Sequence, residues 1–483
     1  MAPVPSPHSL SSLVTWLTSR INYERQPVRL AASLRLDAIR ELLKRLGDPH
    51  LAYPVVHVAG TKGKGSVTRM LASILHQAHY RTACYTSPHL FKLNERFAVD
   101  GLPIADDALE QLIQGMRPIV DACDEFYGEQ RLTFFDICTA LAFQYFAQQR
   151  VAVAVIEVGL GGRLDSTNVC HSDLSIITSI SFDHTRQLGH TLAEIAKEKA
   201  GIIKRRIPVL IGCLPEEAAS VVGGVAEEHQ SPVVQLGRDF QIVDAQLHSS
   251  GAHFEVDFTD AAQFAGQTKV TVSIPLLGVH QVENAALAVA AARLLELKGF
   301  HQLLEAVPKA LAEIEHAGRI EIVSSQPTLV LDVAHNVAAI EALLSTLQKQ
   351  VPHWRVARRR WLILAISRDK DFRGMIARLV PHFQEILLTE FLENPRARST
   401  GELRLAAEKR LASSTAPGDA PVNSPSACRI REFESPQAAW VTAYSEMGAE
   451  DLCCITGSLF LVAELAGLIK ASLHDTIPGM SAE

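Results

Sequence analysis

Apolar runs broken by glycines and polar clusters divide this chain into alternating strand and helix signals. Residues 55–59 form an apolar run that breaks into three glycines, two lysines and a serine, followed by a helix-compatible stretch over 67–77. Residues 151–158 are continuously apolar and bounded by Gly159, as in a strand buried on both faces. Residues 174–180 repeat the pattern, 192–203 read as a helix, and Pro208 leads into a third run at 209–211. Strands alternating with helices predict a doubly wound, mainly parallel sheet. Ahead of it, an amphipathic helix is expected around 10–21, and another over 35–46 that stops at Gly47.

The pattern then changes period. Residues 234–275 alternate apolar and polar positions, which predicts short antiparallel strands. Residues 283–299 are rich in Ala and Leu and read as a helix. A second strand–helix series begins near Arg319, with strands at 328–333, 361–366, 385–389 and 452–456. The boundary falls within 300–318, giving expected domains of 1–316 and 317–483. Residues 413–426 form a polar loop without periodicity, and no internal repeat is present.

Composition narrows the class. A chain of 483 residues is too long for one ordinary core. An apolar content of 47% with 20% charged residues describes a globular rather than a disordered protein. A net charge of −7 leaves no electrostatic footprint for nucleic acid, and the run Arg358-Arg359-Arg360 reads as solvated. The eight cysteines contain no C-x-x-C pair; Cys453 and Cys454 sit in an apolar run and read as buried free thiols, which suits a reducing compartment. No apolar stretch is long and clean enough to span a bilayer. The first twenty residues lack a secretory apolar core; being Ser-rich and poor in acids they faintly resemble a transit peptide, but a lead-in helix is the better reading. A cytoplasmic monomer with neither nucleic-acid nor membrane partners is expected.

Candidate chemistry collects where strands end. Gly60-Thr61-Lys62-Gly63-Lys64-Gly65-Ser66 lies between a strand and a helix, the order of a phosphate-cradling loop. Its glycines let backbone N–H groups converge on phosphate oxygens, Lys64 would offset their charge, and the Ser66 hydroxyl could reach Mg²⁺. Gly65 stands between lysine and serine, unlike the usual pattern; a plain glycine-rich turn is the competing reading. Glu157 ends the second strand and is placed to hold a metal, or is an ordinary turn acid. Asp183-His184 ends the third and could serve metal or phosphate, or be a solvated turn. Lys197, Lys199 and Lys204 read as a solvated helix face on sequence physics alone. In the second domain, Asp332-Val333-Ala334-His335-Asn336 and Ser367-Arg368-Asp369-Lys370-Asp371 again follow strands. Ligands bind at such strand ends in open α/β sheets. These residues suggest an ATP-using enzyme and do not say what receives the phosphate.

Taken in order, these segments resemble the folylpolyglutamate synthase/dihydrofolate synthase branch of the Mur ligase family. The resemblance rests on Gly60–Ser66, Thr86-Ser87-Pro88-His89-Leu90, Asn94-Glu95-Arg96, Glu157 through Asp165, Asp183-His184 and Glu198-Lys199 through Lys204. It continues through His280-Gln281, Asn284-Ala285, Gly318-Arg319, Asp332–Asn336, Asp369-Lys370-Asp371 and Thr456-Gly457-Ser458-Leu459-Phe460, covering roughly 35–465. The order, not any single motif, is specific. It implies a Mur-ligase-type ATPase domain with a phosphate loop, a mainly parallel sheet and a small antiparallel sheet, followed by a Rossmann-like α/β domain. It implies ATP-dependent amide-bond formation: a folate or pterin carboxylate is phosphorylated, and the amine of L-glutamate attacks the acyl phosphate.

The resemblance also assigns roles. Gly60, Thr61, Lys62, Gly63, Lys64, Gly65 and Ser66 would cradle the triphosphate of ATP, with Asn284, Arg319 and Asp332 on the nucleotide and domain closure completing the site. Ser66 and Glu157 would hold one Mg²⁺, and His184 with a carbamylated Lys199 a second; a monovalent cation is a further candidate. Lys64, His184, Lys199 and His335 would act catalytically. Ser87, Pro88, His89, Arg96 and Asp136 would border the pterin substrate. Asp136 stands where Glu is usual, Lys62 where many members have Asn, and Val333 where Gly is common. Two alternatives stay open: a Mur ligase acting on a non-folate carboxylate, although only 59 residues precede Gly60, and an ATP-binding regulatory protein without ligase activity.

Overall fold

The computed structural model describes residues 10–24, 35–127, 131–259, 269–413 and 428–475. The predicted polar loop at 413–426 lies outside these residues except for Ser413. The chain divides into two compact units. The first spans residues up to Ile314, and the second runs from Glu315 and also takes in Leu247–Gly251 and Leu276–Val279.

The first unit is built on strands β1 (Val55–Ala59), β2 (Thr82–Tyr85), β3 (Phe97–Val99), β4 (Leu102–Pro103), β5 (Val153–Glu157), β6 (Leu174–Ile177), β7 (Val209–Ile211) and β8 (Val233–Gln235). They form one sheet in the order β4-β3-β2-β5-β1-β6-β7-β8. From β2 to β8 every neighbour is parallel; β3 and β4 add an antiparallel edge. The parallel strands β1, β2, β5, β6 and β7 are buried throughout, which is why they read as unbroken apolar runs. Exposed Leu102 and Pro103 end the sheet where a missing N–H costs no ladder bond. The alternation predicted at 234–275 begins instead with the parallel strand β8, and from Phe240 onward appears as a second sheet of β9 (Phe240–His248), β10 (Gly251–Phe258) and β11 (Lys269–Ile274), with β10 and β11 antiparallel. Strand β11 alternates exposed and buried residues along its whole length. The Ala-rich helix Val279–Glu296 is buried nearly all round.

The lead-in helix is Leu10–Thr18, with Leu13 and Leu17 buried. Helix Asp37–Arg45 buries Ile39, Leu42 and Leu43 and carries an acid in its first turn and bases in its last, matching the helix dipole. The helix after β1 starts at Lys64, earlier than its apolar residues imply, so Lys64, Gly65 and Ser66 form its first turn. Helix Leu192–Ala200 ends before Ile203, the predicted limit.

The second unit contains β12 (Glu321–Ser325), β13 (Thr328–Leu331), β14 (Arg360–Leu364), β15 (Glu385–Leu388), β16 (Arg429–Glu432) and β17 (Leu452–Thr456), ordered β12-β13-β17-β14-β15-β16. All neighbours from β13 to β16 are parallel, and β12 is antiparallel. Cys453 and Cys454 are buried free thiols in its centre. The solvated reading of Arg358-Arg359-Arg360 fails for two of the three. Arg359 donates to the buried Asp451 carboxylate at 2.8 Å and lies over Trp361, and Arg360 lies over Trp354. Among the described residues no helix is long and apolar enough to cross a membrane.

Candidate active site

The loop after β1 is set by hydroxyl groups from the end of β6. Thr61 donates its backbone N–H to Ser179 O at 2.7 Å, and Lys62 N–H donates to Ser179 Oγ at 3.0 Å. Thr178 Oγ1 and Ser179 Oγ both donate to Lys62 O, at 2.5 and 3.1 Å. Thr61 Oγ1 donates to Ser181 O at 3.2 Å and accepts from Ser181 N–H at 3.1 Å. The approach is close enough to require glycine: a Cβ on Gly60 would lie 1.9 Å from Thr178 Oγ1. At Gly63, with φ +81°, a Cβ would lie 2.2 Å from Asn284 Oδ1. Asn284 therefore sits directly over the loop, with its amide donating to Gln281 Oε1.

Two lysines converge inside this frame. Lys64 Nζ and Lys199 Nζ donate to the same carbonyl oxygen, Gly60 O, at 3.1 and 2.8 Å. Lys199 is 3% exposed, so the reading of it as part of a solvated face is wrong. Nine residues of helix cannot disclose which lysine the sheet covers. Burial, and next the like charge of Lys64, bring its pKa down to about 7, while Asp183 and Asp165 pull it back up. Glu157, at the end of β5, lies beside the loop: its Oε2 is 3.3 Å from where a Gly65 Cβ would be, and it accepts from Ser87 N–H at 3.0 Å. Ser66 is buried in the first helical turn. Asp183 Oδ1 accepts from the His184 N–H at 2.8 Å, and His184 holds a left-handed φ of +48°.

The segments 157–168 and 198–204 fasten to one another. Arg163 pairs with Glu198 at 2.8 Å, and Asn168 Nδ2 donates to Arg163 O and Gly201 O. Lys204 Nζ donates to Asn168 O and Oδ1, so Lys204 also leaves the solvated face predicted for it. Buried Asp165 accepts from the Leu160 and Thr167 N–H groups, and Thr167 Oγ1 bonds to Nε2 of His57 on β1. Burial raises the Asp165 pKa and lowers that of His57 to about 3, so His57 is neutral.

The other expected substrate residues fall in two groups. Arg96 is fully enclosed: it donates to Glu24 Oε1 and Oε2 at 2.9 and 2.6 Å and to His89 Nδ1 at 2.8 Å, and lies over Phe134. Burial opposes its charge, but Glu24 outweighs it and holds the guanidinium protonated. Arg96 therefore holds His89 in place. Glu95 accepts from the backbone N–H groups of Leu90, Phe91 and Lys92, and Asn94 donates to Ile104 O and Asp106. Asp136 forms a capping box with Thr133 at the start of helix Phe134–Gln148 and accepts from Ser166 Oγ at 2.6 Å. Ser87 is half-buried, and Pro88, after a cis peptide bond, is exposed.

In the second unit, Asp332 follows β13. Its carboxylate accepts from Ile320 N–H at 3.0 Å and Ala334 N–H at 2.9 Å. Burial raises its pKa to about 6, while Arg319 acts in the opposite direction. His335 Nδ1 lies 3.0 Å from Val333 O, and Asn336 caps helix Val337–Gln350 through Ala339 N–H.

Sequence reasoning missed Thr178, Ser179, Ser181 and Glu24. A run of hydroxyl residues directly after a buried strand was the available signal for the first three. Among the described residues no group of three or more His, Cys, Asp or Glu side chains is close enough to hold a metal alone.

Residues 58–292 match the Mur ligase middle domain and residues 318–459 the Mur ligase glutamate ligase domain. The dihydrofolate synthase/folylpolyglutamate synthase of Bacillus subtilis is 33% identical over 459 residues, covering 94% of this chain and 98% of its own. The folylpolyglutamate synthase of Lacticaseibacillus casei is 35% identical over 381 residues, 79% of this chain and 86% of its own. A solved structure of the Mycobacterium tuberculosis folylpolyglutamate synthase complexed with ADP superposes with a TM-score of 0.82 at 31% identity, covering 95% of this chain and 98% of that one. With the hydroxyl-set glycine loop and both domain matches, the chain belongs to the folylpolyglutamate synthase/dihydrofolate synthase branch of the Mur ligases.

Proposed function

We propose that this enzyme joins the amino group of L-glutamate to the carboxylate of a folate or dihydropteroate acceptor, converting ATP to ADP and phosphate. The convergence of Lys64 and Lys199 on Gly60 O, inside a pre-set glycine loop beside Glu157, carries the reading. Backbone N–H groups of the loop and Lys64 bind and orient the triphosphate, with Asn284 over the loop. An acceptor carboxylate oxygen attacks the γ-phosphorus, the bond to the ADP oxygen breaks, and an acyl phosphate forms. The glutamate amine then attacks the acyl carbon and loses a proton. The tetrahedral adduct expels phosphate and leaves an amide. Phosphorylation supplies the leaving group that a carboxylate lacks; the protein positions the reactants and offsets charge.

The donors fit magnesium. Ser66 and Glu157 would hold one Mg²⁺, and His184 and Lys199 a second, with phosphate oxygens and water completing sites that the protein alone does not fill. Bound Mg²⁺ neutralises charge on the transferring phosphoryl group. Lys199 suits this role as a carbamate. With its pKa near 7, a large share of the amine is neutral at physiological pH. Such an amine adds to CO₂, forming an N–C bond and releasing a proton, and becomes an anionic oxygen ligand. A monovalent cation is a further candidate. Arg319, Asp332 and His335 are proposed to act on the nucleotide and its phosphates, and Ser87, Pro88 and His89 to border the acceptor, with Arg96 and Asp136 acting through the groups they hold. A monomer working in the cytoplasm completes the reading; eight free cysteines support a reducing compartment.

Glutamate-dependent ADP release, measured with dihydropteroate and with tetrahydrofolate, tests the proposal. Release with at least one acceptor is expected. Nucleotide binding without acceptor-dependent ADP release overturns it.

A further inference from the structure

Singly exposed apolar side chains are ordinary on protein surfaces, so position has to distinguish one that matters. Phe182 is 57% exposed and lies between Ser181, which is bonded to the phosphate loop, and the Asp183-His184 pair. Its neighbours Ile180 and Leu188 bury themselves in the cluster that also contains Ile195 and Ala196. Phe182 joins neither that cluster nor any ring pair among the described residues. The backbone around it is tied at both ends. Ser181 N–H and O both bond Thr61 Oγ1, while Gln187 and Leu188 N–H both donate to His184 O at 2.9 Å. Leu188 lies against the glycine segment after β5, with its Cδ2 3.0 Å from where a Gly161 Cβ would be. A fixed backbone thus holds an aromatic ring in solvent, two residues from His184.

We infer that Phe182 is a specificity-determining residue whose ring packs against the aromatic ring of a dihydropteroate acceptor. The inference rests on the ligase reading above. In dihydropteroate the reacting carboxylate is bonded directly to the aminobenzoate ring, so bringing that carboxylate to the γ-phosphorus keeps the ring next to the reacting centre, by the loop that the neighbouring Ser181 bonds. In a glutamylated folate the reacting carboxylate ends a flexible glutamyl chain, and the ring lies an amide and that chain away. One ring–ring contact therefore favours the first acceptor and gives the second little. Elongating the chain further moves the ring no closer, so Phe182 separates the first glutamylation from all later ones.

The test compares kcat/KM for dihydropteroate and tetrahydrofolate on the full-length protein. Phe182→Ala is expected to lower the dihydropteroate-to-tetrahydrofolate ratio about tenfold, mainly through KM for dihydropteroate, as loss of one ring–ring contact requires. Phe182→Tyr keeps the ring and holds the ratio within about twofold, and Phe182→Leu falls between. The melting temperature and affinity for a non-hydrolysable ATP analogue report on the fold of each variant; if Phe182→Ala melts early, Phe182→Leu decides. An unchanged ratio, or equal losses on both acceptors, overturns the inference. Wild-type protein that ligates tetrahydrofolate but not dihydropteroate also overturns it and leaves the ligase reading standing. Wild-type protein that ligates neither removes both.

Discussion

The loops that follow β1 and β2 flank β5 and are fastened by opposite means. The loop at 60–66 is held by neutral groups, the hydroxyls of Thr61, Thr178 and Ser179, and the amines of Lys64 and Lys199 meet at the Gly60 carbonyl oxygen. The loop at 87–96 is held by charge. Glu95 gathers three backbone N–H groups, and Arg96 is enclosed by Glu24 and His89. It presents exposed Pro88 and Phe91. On the reading proposed above, the loop that meets the ligand's charge is itself held by neutral bonds, and Lys64 is a cation it offers. In the loop at 87–96 the charges of Glu24, Glu95 and Arg96 go into the scaffold, and of the exposed residues Pro88, Phe91 and Lys92 the last alone is charged.

Breaking the first loop's chemistry should have the largest effect. Lys199→Met is expected to reduce glutamate-dependent ADP release by about a hundredfold or more while the protein stays folded. In Lys199→Ala, millimolar bicarbonate or a short carboxylate should restore part of the rate; wild-type turnover without rescue would remove Lys199 from the mechanism. Stability adds a pH test. The folded pKa is about 7 against an ordinary 10.5. Between those values the unfolded chain keeps a proton that the folded one has lost, so wild-type stability rises with pH across that window. Lys199→Met has no buried ammonium. Its melting temperature relative to wild type should be highest below pH 7 and decline towards pH 10; a gap that does not change with pH contradicts the burial argument.

Arg96 tests the second loop. Arg96→Met leaves Glu24 without its bidentate partner and should cost about 3 kcal/mol in urea denaturation, the low end for a buried pair because Glu24 keeps some water. Nucleotide affinity should hardly change while the acceptor KM rises. A loss below about 1 kcal/mol would mean that charge does not fasten this loop. Asp136→Asn sharpens the contrast with the smallest effect. It weakens the capping box and the Ser166 bond, and should lower stability by about 1 kcal/mol. A larger change in acceptor KM than in stability would place Asp136 on the substrate itself.

Legibility followed burial. Strands β1, β5, β7 and β17 are covered on both faces and could be read from apolar runs alone. Strands β12 and β16 could not: Glu321–Ser325 and Arg429–Glu432 are polar edge segments, recognisable only by their partners. The glycine loop was legible because the chemistry of close backbone approach leaves few residue choices. Lys199 was not, since helical spacing says nothing about which end of a helix a sheet covers, and Lys204 was not, since the helix ends at Ala200 and Lys204 binds Asn168 beyond it. Arg359 misled for a similar reason, its partner Asp451 lying far along the chain. The roles of His184 and His335 came from family resemblance, not from any period or composition.

The hydroxyl bonds between β6 and the loop after β1 bear on the timing and heat of nucleotide entry. If the loop cradles the triphosphate as proposed above, it is already in shape, and ATP does not have to wait for it to order. Little chain entropy is lost on association, and the ordering penalty that often accompanies phosphate capture is largely met when the sheet folds. Substitutions at Thr178 and Ser179 would move that penalty from folding to binding, leaving the same contacts in the bound state but a slower and less favourable path into it.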